Sequence, residues 1–243
     1  MRLPFIKMQG LGNDYVYIDC FPAQTAELIA GLDVSALARR VSDRHFGVGS
    51  DGLVLIMPSK VADIRMRMFN ADGSEAEMCG NASRCIGRYA YEHGLCGREM
   101  TLETLAGIKH ITVNTRAEKV TSVTVRMGKE LGNPHKVYIT DTPVETIAIF
   151  EHKNTNAEWV NVLNRREIRM RVWERGTGET MACGTGACAA AMETMNKGLT
   201  DHSVRVFMPG GEVTVSRDEK GIISLTGSAT EVFHGEYIEE NEQ

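Results

Sequence analysis

The chain has 243 residues, of which 42% are hydrophobic and 6% aromatic, and its formal net charge at pH 7 is −5. This composition is typical of a globular protein with an aliphatic core, and the acidic balance argues against binding to nucleic acid or to an anionic membrane. No apolar run approaches the roughly 18 residues of a membrane span, and no signal-type apolar stretch follows the first five residues. We therefore expect a soluble, cytoplasmic protein.

The six cysteines have a spacing that predicts free thiols. The chain contains no Cys-x-x-Cys pair, and the intervals fit neither a zinc finger nor an iron–sulfur cluster. A chain of this length can form a sufficient core without a disulfide framework. We therefore predict no metal site, and we expect four of the cysteines to pack as small hydrophobic residues: Cys20, Cys85, Cys96 and Cys188.

Near the N-terminus, a Gly-rich turn at residues 9–14 precedes an apolar strand at 15–18. The turn lacks the third Gly and the Lys-Ser/Thr of phosphate-binding motifs, and those motifs precede a helix instead of a strand. It either connects two strands or presents Asn13 to a ligand. A second Gly-Asn turn at 132–135 also precedes a strand, which favours the ligand interpretation.

The rest of the chain predicts two helices and two sets of strands. Helical periodicity indicates a helix at 35–43, with Asp33 as its N-cap, and a short helix at 144–152. Alternation of polar and apolar residues indicates antiparallel strands. The first set comprises 101–104, 108–113 and 120–125, and the second comprises 204–208, 212–216 and 221–226.

One stretch of the chain occurs twice, at an offset of 104 residues. The offset superposes 64–70 on 168–174 and Cys79-Gly80 on Cys183-Gly184. It also matches Glu75 with Glu179, Gly94 with Gly198 and Gly107 with Gly211. Each copy predicts an alternating strand, a polar loop, and a helix that begins after the cysteine and ends at a glycine.

The repeat predicts an α+β fold with two pseudo-symmetric lobes. We expect each lobe to be a curled, mostly antiparallel sheet around a central helix. The boundary is placed before the second Gly-Asn turn, which gives lobes at 1–131 and 132–243. Each lobe then contributes one cysteine, Cys79 or Cys183, at a helix N-terminus.

The position of these two cysteines suggests a reaction. Free N–H groups and the helix dipole at an N-terminus hold an anion and make a nearby thiol more acidic. Two thiols that flank the α-carbon of a bound carboxylate could act as base and acid and invert that centre. N–H groups aimed at the carboxylate would stabilise the developing charge. Such a stereoinversion needs no cofactor in principle.

Several motifs together resemble the diaminopimelate epimerase family, and the resemblance covers nearly the whole chain in order. The motifs are Gly10-Leu11-Gly12-Asn13-Asp14, Phe69-Asn70-Ala71-Asp72-Gly73-Ser74, Met78-Cys79-Gly80-Asn81, Gly132-Asn133-Pro134-His135, Trp173-Glu174-Arg175-Gly176 and Glu179-Thr180-Met181-Ala182-Cys183-Gly184-Thr185-Gly186-Ala187.

The resemblance implies a pyridoxal-independent epimerase that interconverts LL- and meso-diaminopimelate, on the route to lysine and peptidoglycan precursors. By position, Cys79 and Cys183 would be the acid/base pair, and His135 and Glu174 would support catalysis. The implied substrate-binding residues are Asn13, Asn70, Gly80, Asn81, Asn133, Asn156, Glu174, Arg175, Gly184 and Thr185. The resemblance also implies a homodimer.

The chain departs from the family pattern in three places. A substrate-contacting Gln of some members is replaced by Gly52, and the segments near 128–132 and 153–155 are shorter. Two other functions stay open. One is a proline-racemase-like enzyme with paired thiols and a smaller substrate. The other is a binding or redox module in which Cys79 and Cys183 form a reversible disulfide.

Overall fold

The computed structural model describes residues 1–129, 135–150, 155–175 and 177–239. Its contacts divide the chain into two units, the first formed by Met1–Val123 with Ala229–Gln243 and the second by Thr124–Ser228. The predicted second lobe, 132–243, differs from this second unit at both of its ends. Residues 124–128 belong to a strand that enters the second unit, and the C-terminal residues join the first because they pair with its N-terminal strand.

The first unit contains three helices and a set of strands from the N-terminal part of the chain. One further strand comes from the C-terminal part. Its elements are β1 (Arg2–Gly10), β2 (Asn13–Asp19), α1 (Ala23–Ala30), α2 (Val34–Ser42), β3 (Gly52–Met57), β4 (Ile64–Asn70), β5 (Glu75–Ala76), α3 (Gly80–Glu92), β6 (Glu99–Thr104), β7 (Gly107–Arg116) and the first half of β8 (Lys119–Gly128). The last strand of the chain, Thr230–Ile238, completes this unit.

The second unit contains one helix and the remaining strands. They are β9 (His135–Ile139), β10 (Asn156–Asn164), β11 (Glu167–Glu174), β12 (Gly178–Thr180), α4 (Gly184–Asn196), β13 (Ser203–Met208), β14 (Gly211–Arg217) and β15 (Ile223–Gly227), so that Thr230–Ile238 is β16. The prediction of a helix at 144–152 is wrong for the described residues 144–150, which form only a 3-10 turn at Val144–Thr146. Residues 151–154 lie outside the described residues.

In the first unit the sheet has the order β16-β1-β2-β3-β4-β6-β7-β8. The pairs β2–β3 and β4–β6 are parallel, whereas β1 pairs antiparallel with β16 and β2, and β3 with β4. Strand β2 is buried on both faces, which explains why its sequence is an apolar run without alternation.

Helices cover both faces of this sheet. Val16 of β2 packs in one core cluster with Leu37 and Val41 of α2, whose predicted cap is confirmed because Asp33 accepts the N–H of Ala36 at 3.1 Å. Helix α3 contacts β1, β7 and β16. A Cβ at Gly87 would lie 2.6 Å from Ile111 of β7, so glycine allows α3 to lie close to the sheet. The predicted central helix is therefore confirmed.

The second unit repeats the arrangement around α4, which contacts β9, β10, β11, β13, β14 and β15. The offset of 104 residues is preserved in the strand register. Ile64 pairs with Leu102 across β4–β6, and Ile168 pairs with Val206 across β11–β13. The ion pairs Arg67–Glu75 and Arg171–Glu179, also 104 residues apart, both measure 2.7 Å from Nε to Oε1. The α+β fold with a mostly antiparallel sheet is confirmed.

Among the described residues, no helix is both long and apolar enough to cross a membrane.

Candidate active site

Cys79 and Cys183 occupy the same position in the two units. Each is the N-cap of a 13-residue helix, with extended backbone angles of φ −135° and ψ 125° at Cys79 and φ −126° and ψ 116° at Cys183. The helices begin at Gly80 and Gly184, so the N–H groups of their first turns lie beside the thiols. The predicted placement of both cysteines at helix N-termini is confirmed.

The Cys79 thiol is half-buried between α3 and β2. Its sulfur lies 3.8 Å from the hydroxyl oxygen of Tyr15. Asn81, which is 2% exposed, accepts a hydrogen bond from Nη2 of the fully buried Arg84 at 2.8 Å. A Cβ at Gly10 would lie 3.1 Å from the same Nη2. Arg84 therefore joins the first turn of α3 to the β1–β2 turn and brings a positive charge into this region.

Asn13 follows a two-residue turn between β1 and β2. Leu11 and Gly12 have φ values of 59° and 86°, the left-handed pattern of a type I′ hairpin, and Gly10 pairs with Asn13. Lys7 and Arg44 both form ion pairs with Asp14, the next residue. Burial alone would raise the pKa of Asp14, but hydrogen bonds from Arg44 and Lys7 lower it. Asn13 is thus the first residue of a strand held by two charge pairs, of which only Lys7–Asp14 is largely buried.

Asn70 ends β4 and lies opposite Gly52 in the β3–β4 register. Its side-chain amide donates to the hydroxyl of Ser74 at 2.9 Å, and a backbone bond between the same residues closes the turn. A Cβ at Gly52 would lie 2.1 Å from the carbonyl oxygen of Phe69. The position that holds a Gln in some family members therefore has no room for a side chain here.

Cys183 is 5% exposed and lies among polar groups. The N–H of Gly186 lies 3.4 Å from its sulfur, and the hydroxyl of Thr185 lies 3.5 Å away. Burial, and then the negative charge of Glu174, raise the pKa of Cys183 well above the usual value, although Thr185 and Gly186 act in the opposite direction. We predicted a more acidic thiol, and for Cys183 this is wrong because burial and carboxylates outweigh the helix N-terminus.

Glu174 lies at the end of β11, beside Cys183. Its Oε1 accepts a hydrogen bond of 2.5 Å from the hydroxyl of Thr180. Burial is the main cause that raises the pKa of Glu174, while its contacts with Thr180 and Cys183 and the imidazole of His135 lower it. The structure thus brings His135 and Cys183 each within electrostatic reach of Glu174.

Asn156 and Arg175 meet at the edge of this cluster. Oδ1 of Asn156 accepts the backbone N–H of Arg175 at 2.9 Å. The Arg175 side chain is exposed, and no described residue forms an ion pair with it. Among the described residues, no ion pair therefore explains its position without a ligand, and its guanidinium suits an incoming carboxylate.

His135 begins β9 and pairs in register with Asn156. Its Nδ1 lies 2.7 Å from Oε1 of Glu158, and the two side chains are 5% and 0% exposed. The sequence analysis did not select Glu158. The available signal was a single carboxylate within an otherwise apolar stretch of β10, since lone charged residues are rarely buried without a role.

The predicted site residues therefore form one group in each unit. Asn13, Asn70, Cys79, Gly80 and Asn81 belong to the first unit. His135, Asn156, Glu174, Arg175, Cys183, Gly184 and Thr185 belong to the second. Asn133 lies outside the described residues. Within the part of the chain that is described, no cluster of three His, Cys, Asp or Glu side chains could hold a metal ion.

Comparison with solved structures shows the same fold at low sequence identity. A protein of the PhzF phenazine biosynthesis family from Bacillus anthracis has a TM-score of 0.73 and 18% identity, covering 98% of this chain and 99% of its own. A hydroxyproline epimerase from Agrobacterium vitis has a TM-score of 0.68 and 14% identity, covering 99% and 94%.

Sequence relatives are much more similar. A diaminopimelate epimerase of Desulfovibrio desulfuricans is 43% identical over 289 aligned positions, which cover 98% of this chain and 99% of the relative. Because 289 exceeds the length of this chain, the relative carries segments that this chain lacks. A diaminopimelate epimerase of Acetivibrio thermocellus is 42% identical, covering 96% and 97%.

The family model described as diaminopimelate epimerase matches the chain twice, at residues 5–131 and 129–232. The two matches each contain one of the helices that begin after a cysteine. Together with the identity to full-length relatives, they account for the repeat, the matched helices and the motifs. The chain belongs to the diaminopimelate epimerase family.

Proposed function

We propose that this protein interconverts LL-2,6-diaminopimelate and meso-diaminopimelate by a two-base mechanism. The observation that carries the proposal is the matched placement of Cys79 and Cys183, each at the N-cap of the central helix of its unit. Family membership supplies the substrate. The mechanism requires the two sulfur atoms to approach one α-carbon from opposite sides.

In this mechanism Cys183 is the proton donor in one direction of the reaction. The raised pKa of Cys183 keeps it a thiol at neutral pH. Cys79 then acts as the thiolate base, and the positive end of α3 favours the negative charge on its sulfur. The proton leaves the α-carbon for Cys79 while Cys183 delivers a proton to the opposite face. The reverse reaction exchanges the two roles.

The carboxylate at the reacting centre is assigned to the two helix N-termini. The N–H groups of Gly80 and Asn81, and those of Gly184 and Thr185, would hold it and stabilise the charge that develops on deprotonation. This stabilisation matters because a carbon beside a carboxylate is a weak acid. No cofactor is assigned a role in this scheme.

The distal amino-acid end of diaminopimelate needs its own partners. Arg175 is exposed and has no ion-pair partner among the described residues, so its guanidinium suits the distal carboxylate. The side-chain amides of Asn13, Asn70 and Asn156 suit the ammonium groups and carboxylate oxygens, and the motif assigns Asn133 the same role. A substrate with two charged ends explains the need for both sets.

Deuterium wash-in tests the proposal. LL-diaminopimelate is incubated with the protein in D2O, loss of the α-proton signal is followed by NMR, and the meso isomer is measured by chiral chromatography. We expect deuterium to enter as the centre inverts. Inversion of proline or hydroxyproline without diaminopimelate would indicate the smaller-substrate racemase, and absence of exchange would indicate a binding or redox module.

Matched cysteine variants test the two-base mechanism. Cys79→Ala and Cys183→Ala should each lower the inversion rate by about 10³-fold or more, because each removes one of the two proton-transfer groups. Cys96→Ala, at a half-buried thiol outside both helices, is the control and should invert diaminopimelate at the wild-type rate. Full turnover by Cys79→Ala would contradict the mechanism.

The remaining properties rest on the family resemblance and on composition. We propose a cytoplasmic homodimer without nucleic-acid or membrane partners. Light scattering coupled to size-exclusion chromatography tests the dimer, and a mass near 27 kDa, close to the 26.8 kDa of one chain, would contradict it.

A further inference from the structure

Glu158 is the one fully buried carboxylate among the described residues of the second unit. A buried carboxylate loses its hydration, and this costs several kcal/mol unless a charged or hydrogen-bonding partner compensates. The partner here is Nδ1 of His135 at 2.7 Å. Two other atoms of the pair, Oε2 of Glu158 and Nε2 of His135, are buried, and neither has a hydrogen-bond partner among the described residues. The pair therefore carries one unused polar atom at each end.

The first unit has no such pair at the equivalent positions. At the offset of 104, Val54 is the residue equivalent to Glu158. The two residues lie in equivalent strands with the same register, since Gly52 pairs with Asn70 and Ala157 pairs with Trp173. In the parallel ladders, Tyr15 lies beside Gly52 as His135 lies beside Asn156. The fold thus forms with a buried apolar residue where Glu158 stands, so the architecture alone does not require the carboxylate.

A glycine in α4, Gly186, leaves the space that the carboxylate of Glu158 occupies. A Cβ at Gly186 would lie 2.8 Å from Oε1 of Glu158. The equivalent residue in α3 is Ala82, which is fully buried. Gly186 also donates its N–H to the sulfur of Cys183. Glu158 therefore lies against the turn of helix that holds the catalytic thiol.

We propose that Glu158 is a positioning residue for the reaction at Cys183, because its carboxylate fixes His135 in the tautomer that leaves Nε2 to the reacting groups. An ionised carboxylate only accepts hydrogen bonds, so Nδ1 of His135 carries the proton. This proposal rests on the proposed function, since it assigns His135 and Cys183 to that reaction.

The groups around the pair define what His135 can do. Cys183, Glu174 and Glu158 lie within electrostatic reach of one another, and the imidazole of His135 interacts with Glu174. In this tautomer Nε2 carries no hydrogen, so it can accept a hydrogen bond from a group that approaches this cluster with the substrate. Without Glu158 the imidazole can rotate or place its proton on Nε2, and the same atom no longer presents the same hydrogen-bonding capacity.

The internal repeat supplies a variant that keeps the packing and removes the charge. Glu158→Val/Gly186→Ala copies the residues of the first unit, and the alanine fills the space that the carboxylate leaves. Glu158→Gln keeps the shape and a carbonyl acceptor for Nδ1 but removes the charge. Glu212→Gln removes an exposed carboxylate of the same unit and is the control.

Two measurements separate positioning from a structural role. Steady-state kinetics with LL-diaminopimelate should show kcat reduced about 10²-fold or more in the double variant, with KM within about threefold, because Glu158 acts on the transition state through His135 and does not touch substrate. Glu158→Gln should retain more activity than the double variant. NMR correlation of the imidazole nitrogens, which uses no substrate, should show a protonated Nδ1 in wild type and loss of that signature in the double variant.

The outcomes are distinct from those of the proposed function. A double variant with the wild-type melting temperature and a kcat within threefold of wild type would overturn the positioning role, as would an unchanged imidazole signature. A wild-type protein that inverts no diaminopimelate would contradict the proposed function, and the NMR comparison would then decide on Glu158 alone. If the double variant fails to fold, the same two criteria apply to Glu158→Leu, which removes the acceptor for Nδ1 and nearly keeps the side-chain volume.

Discussion

The two catalytic candidates share a helix position but differ in their surroundings. Cys79 is half-buried beside the hydroxyl of Tyr15, and the nearby charge is the guanidinium of Arg84. Cys183 is 5% exposed, and the nearby charges are carboxylates. Helix position favours a thiolate at both sites, whereas burial and negative charge oppose it at Cys183. The repeated element therefore places its two thiols in different surroundings, and those of Cys183 raise the pKa of that thiol.

This difference predicts selective alkylation. At pH 7.5, iodoacetamide should modify Cys79 at least about tenfold faster than Cys183, because the thiolate is the reactive form and each unit of raised pKa removes about nine-tenths of it. Peptide mapping by mass spectrometry gives the two rates. Burial raises the pKa of Cys20 to about 12 and of Cys85 to about 11, so both should stay unmodified in the folded protein.

Cys79→Ala supplies the control for this experiment, because it should remove the fast phase, whereas Cys183→Ala should retain it. Equal rates at the two thiols of the folded wild type would contradict the assignment of Cys183 as the protonated partner. In urea, where burial is lost, all six thiols should react at similar rates.

The sequence predicted the cysteines and their helices because a repeat at a constant offset carries that information within the chain itself. It could not predict that Cys183 has a raised pKa, since that depends on Glu174 and on burial, which arise from tertiary packing. Glu158 was also missed. Its contact with His135 depends on the parallel register of two strands separated by a segment of irregular sequence.

At the level of elements, glycine sets how closely the strands and helices approach. Gly87 lets α3 pack on β7, and Gly186 leaves space for Glu158. Helix α1 and strand β16 were not predicted, because short segments of mixed composition give no clear period. Of the helix predicted at 144–152, the described residues up to 150 form only one 3-10 turn, since a short apolar segment does not distinguish a helix from a packed loop.

Gly52 provides the prediction at this level. Gly52→Ala should lower the free energy of unfolding by about 3 kcal/mol, because its Cβ would lie 2.1 Å from the carbonyl oxygen of Phe69 and the β3–β4 pair would have to shift. Urea unfolding followed by circular dichroism measures the change. Gly97→Ala is the matched control, since no atom lies within 4 Å of its added Cβ, and its change should stay within about 0.5 kcal/mol.

A Gly52→Ala protein as stable as wild type would mean that the β3–β4 pair can yield at this point. The departure from family members with a Gln there would then have no steric cause. With the expected loss, the strand geometry itself explains why this chain has glycine opposite Asn70.

At the level of the whole molecule, the chain contains two copies of one structural unit. The copies share their strand and helix framework and differ in the side chains that surround it. The strand registers, the Arg67–Glu75 and Arg171–Glu179 ion pairs and the helix lengths are retained. The buried strand residues at equivalent positions differ, as Val54 and Glu158 show. The retained features hold each thiol at a helix N-terminus, and the diverged features give each thiol its own chemistry.

The C-terminal strand gives the last prediction. Strand β16 pairs with β1 from Arg2–Ile238 to Gln9–Thr230, and Phe233 packs edge-on against Phe5 at 5.9 Å. A chain that ends at Ser228 would leave β1 as an unprotected edge strand and expose its apolar side chains. Its melting temperature should fall by more than about 10 °C, since the loss of several kcal/mol shifts a protein of this size by that amount.

A chain that ends at Glu239 retains every pair of this ladder and serves as the control. A synthetic peptide of residues 229–239 should restore part of the lost stability by adding back the strand. An unchanged melting temperature in the chain that ends at Ser228 would mean that the first unit is complete without β16. With the expected loss, the division of the chain is discontinuous because the first unit cannot close its sheet until the last strand has been added.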